Sequence, residues 1–218
     1  MKKRSFLNAV LLVFTIFLLS ATPGTKFKRI SITKGISVKL PQDFMQMSDN
    51  DIAQKYPSTK KPLAMYTRMD RMVDFGLNVT KANWAGNNLN VLKEIYKTTL
   101  YTLYKEVSIS KDEVKIINKN NFVILEFTSL ADETRKYTYI QYGVFNNRIY
   151  IFNFTCPAQL KDKLQPVAEQ IMHSIKVRPR RLERIEYNPA GEKGRKGKNP
   201  KEVLEEQRRR QSIKTTQK

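Results

Sequence analysis

One cysteine, one histidine and one tryptophan are all that these 218 residues hold of those three types. With Cys156 alone, no intrachain disulfide can form, a pattern ordinary for bacterial envelope proteins and unusual for secreted eukaryotic domains. A lone His173 excludes multi-histidine metal sites and leaves Cys156 with His173 as the one thiol and imidazole that could work together. His173 lies two residues past Ile171, roughly 200° round a helix, so it is expected in solvent. Cys156 ends an apolar strand and reads as a small buried hydrophobe. Trp84 reads as a core plug.

Acids are also scarce: 20 Asp and Glu face 40 Lys and Arg, a formal charge of +20 that favours anionic partners. The pairs Asp49 with Asp51, Asp70 with Asp74, Asp112 with Glu113 and Asp132 with Glu133 all fall at expected element ends. There they cap helices or solvate turns rather than form a hydrolytic dyad. Gly191, Gly194 and Gly197 alternate with lysines, but the spacing, the Ser or Thr after Gly-Lys and the preceding strand of a phosphate loop are missing. No catalytic residue, cofactor site or metal site is assigned.

The chain opens with Lys2, Lys3 and Arg4, an apolar run over 6–19, and small or turn-forming residues over 20–24. That is the outline of a secretory signal. The run is short of the roughly 18 to 20 residues that cross a bilayer comfortably. It is either removed after about Ala21 or kept as a membrane anchor, giving a first segment over 1–23. The expected address is the bacterial periplasm or the outer face of the inner membrane. The sequons at Asn78 and Asn153 lie inside expected strands and are read as chance.

Residues 24–177 then read as one domain. Short strands are expected at 29–33 and 37–40, and Ser48 with Asp51 makes a capping-box start for a helix that Tyr56-Pro57 ends. Strands at 63–69 and 73–82 precede an Asn87-Asn88 cap and a long helix over 89–105. Leu89, Leu92, Ile95 or Tyr96, Thr99 or Leu100, and Leu103 give it one buried face, with Lys93, Lys97 and Lys105 in water. Four strands follow at 114–117, 122–130, 135–145 and 148–156, with Asn118 to Asn121 and Asn146-Asn147 as turns. A two-residue turn at Asn146-Asn147 sets Val144 against Ile149, Tyr142 against Ile151, Gly143 against Tyr150 and Tyr139 against Phe154. Both faces of that hairpin are apolar or aromatic, which predicts cover on both faces. The last helix starts at Pro157, restarts at Pro166, and carries Leu160, Leu164, Val167, Ala168, Ile171 and Ile175 on one stripe. The fold class is α+β, an α/β/α sandwich whose central, mainly antiparallel sheet is covered by helices on both faces.

Val38-Lys39-Leu40-Pro41 with Phe44, the long middle helix, the run of antiparallel strands, and Cys156-Pro157 and Leu160 ahead of Ile171, Ser174 and Ile175 together resemble the PsbP-like superfamily. The resemblance covers about residues 28–177. That group includes the extrinsic photosystem protein, a Ran-binding nuclear transport factor and bacterial envelope proteins. The signal-like segment argues against the nuclear relative, and the missing Ser- and Arg-rich transit peptide against the chloroplast one. What the resemblance implies is a binding scaffold of the envelope branch.

Residues 178–218 read as a basic, largely disordered tail. Its candidate contacts to an anionic partner are Arg178, Arg180, Arg181 and Arg184, then Lys193, Arg195, Lys196 and Lys198, then Arg208, Arg209 and Arg210. A short charged helix is expected near 200–211, with Asn199 as cap, Pro200 in the first turn, and Glu205 to Arg209 and Glu206 to Arg210 as (i, i+4) pairs. The expected function is a non-catalytic binding or accessory protein of the bacterial cell envelope. A protein partner is expected there, with an anionic membrane surface or polyanion met by the tail. Nucleic acid is set aside because of export, and no small-molecule ligand is implied. Two alternatives stand beside it. One is an enzyme with a dispersed site drawn from Tyr101, Tyr104, Glu126, Arg135 and Tyr142, and the other is a membrane-anchored structural subunit.

Overall fold

The computed structural model describes residues 25–57, 61–84, 88–131 and 133–182, with the side chains of 81–83 and 180 left aside. The N-terminal apolar segment and the tail beyond residue 182 lie outside these residues. No described helix is long and apolar enough to cross a membrane.

Among the described residues, ten strands form two antiparallel sheets. The first, three-stranded, joins β1 (Phe27–Thr33), β2 (Ile36–Pro41) and β10 (Lys176–Val177), with β2 in the middle. The second has seven strands in the order β3-β4-β5-β9-β8-β7-β6. Its members are β3 (Phe44–Gln46), β4 (Ala64–Arg68), β5 (Asp74–Asn83), β6 (Lys105–Ile117), β7 (Asn120–Ala131), β8 (Thr134–Phe145) and β9 (Arg148–Pro157). Three helices cover it: α1 (Asp49–Lys55), α2 (Leu89–Leu103) and α3 (Lys161–His173).

The turns follow from residue type. Asn146 and Asn147 adopt φ of 50° and 61°, and Asn118 and Lys119 adopt 49° and 68°, left-handed values that asparagine tolerates and tight hairpins need. The β8–β9 register that results is the expected one, with Val144 opposite Ile149, Tyr142 opposite Ile151, Gly143 opposite Tyr150 and Tyr139 opposite Phe154. Gly35 turns β1 into β2 at φ +90°, and a β-carbon there would meet the backbone of Arg181 and Leu182 at 3.0 Å. Only glycine fits both demands.

The large sheet is covered on both faces. On one, α3 and the inner side of the small sheet close a core of Ile36, Val38, Leu40, Phe75, Phe122, Phe152, Phe154 and Ile171, all at most 1 % exposed. Burying each such side chain is worth about 1.5–3 kcal/mol. On the other, α2 packs Leu92 and Leu100 on Val123, Leu125, Phe127 and Tyr142, and Tyr96 stacks on Tyr142 at 4.3 Å. α1 covers the β3–β4 end of that same face through Ile52, Met47 and Met65.

Several expectations change. The first two strands, whose sheet the sequence left unassigned, form a separate small sheet with the two-residue β10, which returns from α3 to pair with β2. The short strand β3 was unforeseen. α2 stops at Leu103, and β6 begins at Lys105, well before 114. Ile95 and Leu103 are exposed, so the buried stripe runs Leu89, Leu92, Tyr96 and Leu100. α3 is continuous through Pro166 instead of restarting there. Pro166 sits in its second turn on the exposed side, where it removes one backbone N–H without ending the helix.

Candidate functional site

Two carboxylates are buried in this sandwich, and in each case the elements that deliver their partners are far apart in sequence. Glu126 points from β7 toward α3 and is fully buried. The Lys111 ammonium on the neighbouring β6 meets one carboxylate oxygen at 2.8 Å. The other oxygen accepts from the Tyr137 hydroxyl at 2.9 Å and from the Gln165 amide at 2.9 Å. Lys111 also approaches Glu169 on α3 at 3.6 Å. Burial works against the Lys111 ammonium, but the hydrogen bond and charge of Glu126 outweigh it and raise its pKa. Burial, reinforced by Glu126, holds the Tyr137 hydroxyl far above the ordinary phenol range. The result is a charged tie between the sheet and the helix above it.

Asp74 opens β5 on the opposite face and is 4 % exposed. Lys55, in the last turn of α1, reaches it at 2.7 Å, and the Tyr56 hydroxyl donates a short hydrogen bond to it. Lys55 also donates to the Arg71 carbonyl at 2.6 Å. Burial and then the Asp74 charge push the Tyr56 hydroxyl well up. This cluster fastens α1 to the β4–β5 turn. Beside it opens a surface pocket of about 220 Å³ lined by Met47, Asp51, Gln54, Lys55, Thr67 and Arg71. Asp51 faces Arg71 at 3.0 Å, and the Ser48 hydroxyl holds its carboxyl below the ordinary range. A second pocket of about 160 Å³ lies between Pro41, Asp43, Phe44, Arg68, Lys163 and Val167.

Both arrangements are closed by their own partners. Glu126 is sealed from solvent, with two hydrogen bonds on one oxygen and the Lys111 ammonium against the other, so a substrate proton has no open approach to it. Asp74 is closed off by the lysine and tyrosine that hold it. Cys156 is buried, and burial pushes its thiol up to about 11, so it is not a thiolate at neutral pH. Among the described residues, no group of three or more His, Cys, Asp or Glu is placed to hold a metal.

The residues named for a dispersed enzymatic site do not converge. Glu126 and Tyr142 point to opposite faces of the large sheet. Tyr101 is exposed, Tyr104 leans on Phe127 at 6.0 Å on the α2 face, and Arg135 pairs with Glu106. His173, expected in solvent, is half-buried beside Glu169 at 3.9 Å, and burial followed by the charge of Lys115 lowers its pKa. Asp112 is no element end: it sits mid-strand in β6 and binds Lys97 at 2.5 Å. Lys93 and Lys97 are therefore largely covered, where the periodicity placed them in water. Trp84 is half-buried against the α2-side cluster.

Of the basic tail, Arg178 and Arg181 are described and exposed, and 179–181 forms a single helical turn, with Arg180 placed by its backbone alone. The Arg178 amide donates to the Gly35 carbonyl at 2.8 Å, and Leu182 packs against the core. Arg184, Lys193, Arg195, Lys196, Lys198, Arg208, Arg209 and Arg210 lie outside the described residues, as does the segment near 200–211. Sequence reasoning missed Lys55, Tyr56, Asp74, Lys111, Tyr137 and Gln165 as a set. The one local sign was a carboxylate, Glu126, inside an otherwise apolar strand.

No family model and no curated protein matches the sequence. Solved structures do. Cyanobacterial PsbP (CyanoP) from Synechocystis aligns with a TM-score of 0.52 at 10% identity, over 73% of this chain and 96% of its own. LpqN of Mycobacterium tuberculosis, described as involved in cell envelope biogenesis, aligns with a TM-score of 0.51 at 9% identity, over 71% of this chain and 91% of its own. The chain has the PsbP-like fold, and at these identities the likeness is one of fold.

Proposed function

We propose that this chain is a non-catalytic binding or accessory protein of the bacterial cell envelope, in which the folded domain holds a protein partner and the basic tail adds electrostatic attachment. The observation that carries this reading is the state of the buried polar groups. Both interior carboxylates are spent on ties between layers, and neither faces an open cavity. A fold organised this way presents surfaces, not a reaction centre. The signal-like segment over 6–19 supports the envelope address. So does the involvement of LpqN, which has the same fold, in cell envelope biogenesis.

Crosslinking with mass spectrometry in the native envelope is expected to recover a protein partner attached through the domain. Truncation after Leu182, which spares β10 and the turn that follows it, is expected to weaken capture and reduce its salt sensitivity. Capture unchanged by that truncation would take the tail out of the mechanism. A turnover reaction abolished by Glu126→Gln in a chain that still folds would overturn the non-catalytic reading.

A further inference from the structure

The three-stranded sheet carries positive charge on its outer side, and the charge is assembled by the fold. Alternation along β1, β2 and β10 sends Ile30, Ile36, Val38, Leu40 and Val177 inward. The same alternation sends Arg29, Lys39 and Lys176 outward, with Ser31 and Ser37 between them. Arg29 stands directly opposite Lys39, and Lys176 is opposite Ser37. Like charges facing each other across a ladder repel, so this arrangement works against the hairpin that displays it. Arg29 is braced by the Ser37 hydroxyl at 3.0 Å and the Ser174 carbonyl at 3.3 Å. Lys39, Lys176 and Arg178 are exposed, and none of them pairs with a carboxylate among the described residues.

The two stretches that build the sheet are basic in composition. Residues 25–41 contain five cations and no acid, and 174–182 contain four cations and no acid. The two stretches are more than 130 residues apart in the chain and are brought together by the pairing of β2 with β10 and by hydrogen bonds from Arg29 and Lys39 to Ser174 and from Arg178 to Gly35.

We infer that the outer face of this small sheet is a preformed docking surface for a bilayer rich in anionic phospholipid headgroups. This deepens the attachment part of the reading above, but it rests on the folded face instead of the tail. Charge complementarity argues for such an occupant, since cations gathered on one side of a sheet can meet several headgroup phosphates at once. Chain connectivity argues for the bilayer over a soluble polyanion. Seven residues lie between Leu19, the last of the apolar run, and Phe27, the first of β1, so eight residue-to-residue steps join them. At up to about 3.5 Å each they span at most roughly 28 Å, so export delivers this face to the membrane surface.

The test uses the predicted mature chain from Thr22 to Lys218, which keeps every described element. It is sedimented with vesicles of phosphatidylglycerol and phosphatidylcholine, and with phosphatidylcholine alone. Replacing Lys39, Lys176 and Arg178 by Gln together is expected to weaken partitioning onto the anionic vesicles about a hundredfold, each cation near an anionic headgroup layer being worth roughly a factor of five. The same three replacements at Lys61, Lys105 and Arg135 are expected to change it less than fivefold, and circular dichroism checks that both variants remain folded. The chain cut after Leu182 is expected to bind more weakly than the whole but to keep its preference for anionic vesicles. Loss of that preference on truncation would overturn the role of the face while sparing the tail. Unchanged binding of the Lys39, Lys176 and Arg178 variant would overturn it too. Equally tight binding to soluble polyphosphate, per phosphate, would overturn the assignment to a membrane.

Discussion

The two faces of the seven-stranded sheet are closed by different means. On the α3 side, a helix and a second sheet together bury a continuous layer of phenylalanine, tyrosine and isoleucine, with the Glu126 and Lys111 pair locked beneath the helix. On the α2 side, helices cover a smaller cluster, and Val91, Ile95, Tyr101 and Leu103 remain exposed. Polar ties sit on both sides, but those of α2 lie near the surface, where Lys93 and Lys97 share Asp112. The helix with the more deeply buried neighbours is therefore expected to contribute more to stability.

The sharpest way to break that comparison is to empty one anchor on each side. Ile171→Ala on α3 is expected to lower unfolding free energy by about 4 kcal/mol, and Leu100→Ala on α2 by about 2 kcal/mol, because the more open site relaxes around its cavity. Urea denaturation measures both, and equal losses would show that the faces are packed alike. Lys111→Met comes next, at about 3 kcal/mol by the same method, since it strands the Glu126 charge in the core. A loss below about 1 kcal/mol would make the pair incidental to the α3 layer.

Smaller effects test the helix ends. Ser48→Ala is expected to cost about 1 kcal/mol in the same denaturation experiment, because the Ser48 hydroxyl caps the Asp51 amide and closes a capping box at α1. It should also raise the Asp51 carboxyl toward its ordinary 3.8, visible in an NMR titration. His173 gives the α3 side a pH dependence. Glu169, Lys111, Lys115 and Glu113 surround it, and burial followed by Lys115 lowers its pKa below the ordinary 6.5. The unfolded chain therefore takes up that proton first, so stability is full above pH 6.5 and declines as pH falls through the window beneath it. His173→Gln is expected to flatten the thermal-melting profile across that window, and an unaltered profile would remove His173 from the effect. Least of all, Ile95→Ala should stay within about 0.5 kcal/mol, as an exposed substitution does.

Local chemistry carried much of the fold in readable form. The asparagine pair at 146–147 set the register of β8 on β9, and the Asn88 side chain opens α2 as the sequence implied. Alternating apolar and aromatic residues in that hairpin announced cover on both faces. β3 went unread because three residues carry too little periodicity to register. The first half of β6 was lost because Val107 and Ile109 alternate with serines on a half-exposed edge, a weak signal beside the helix that precedes it. The candidate clusters were less legible. Lys55 and Asp74 are 19 residues apart, and Gln165 and Glu126 are 39 apart, so no spacing rule links them.

Sequence alone determined the element types, the caps, the hairpin turns and the excess of positive charge, because each depends on backbone preference or on composition within a few residues. Tertiary structure alone decided that β10 would close a second sheet, that Glu126 would be sealed beneath α3, and that cations from both ends of the domain would share one face. Those outcomes depend on which distant segments meet, and meeting is governed by the burial of the whole core.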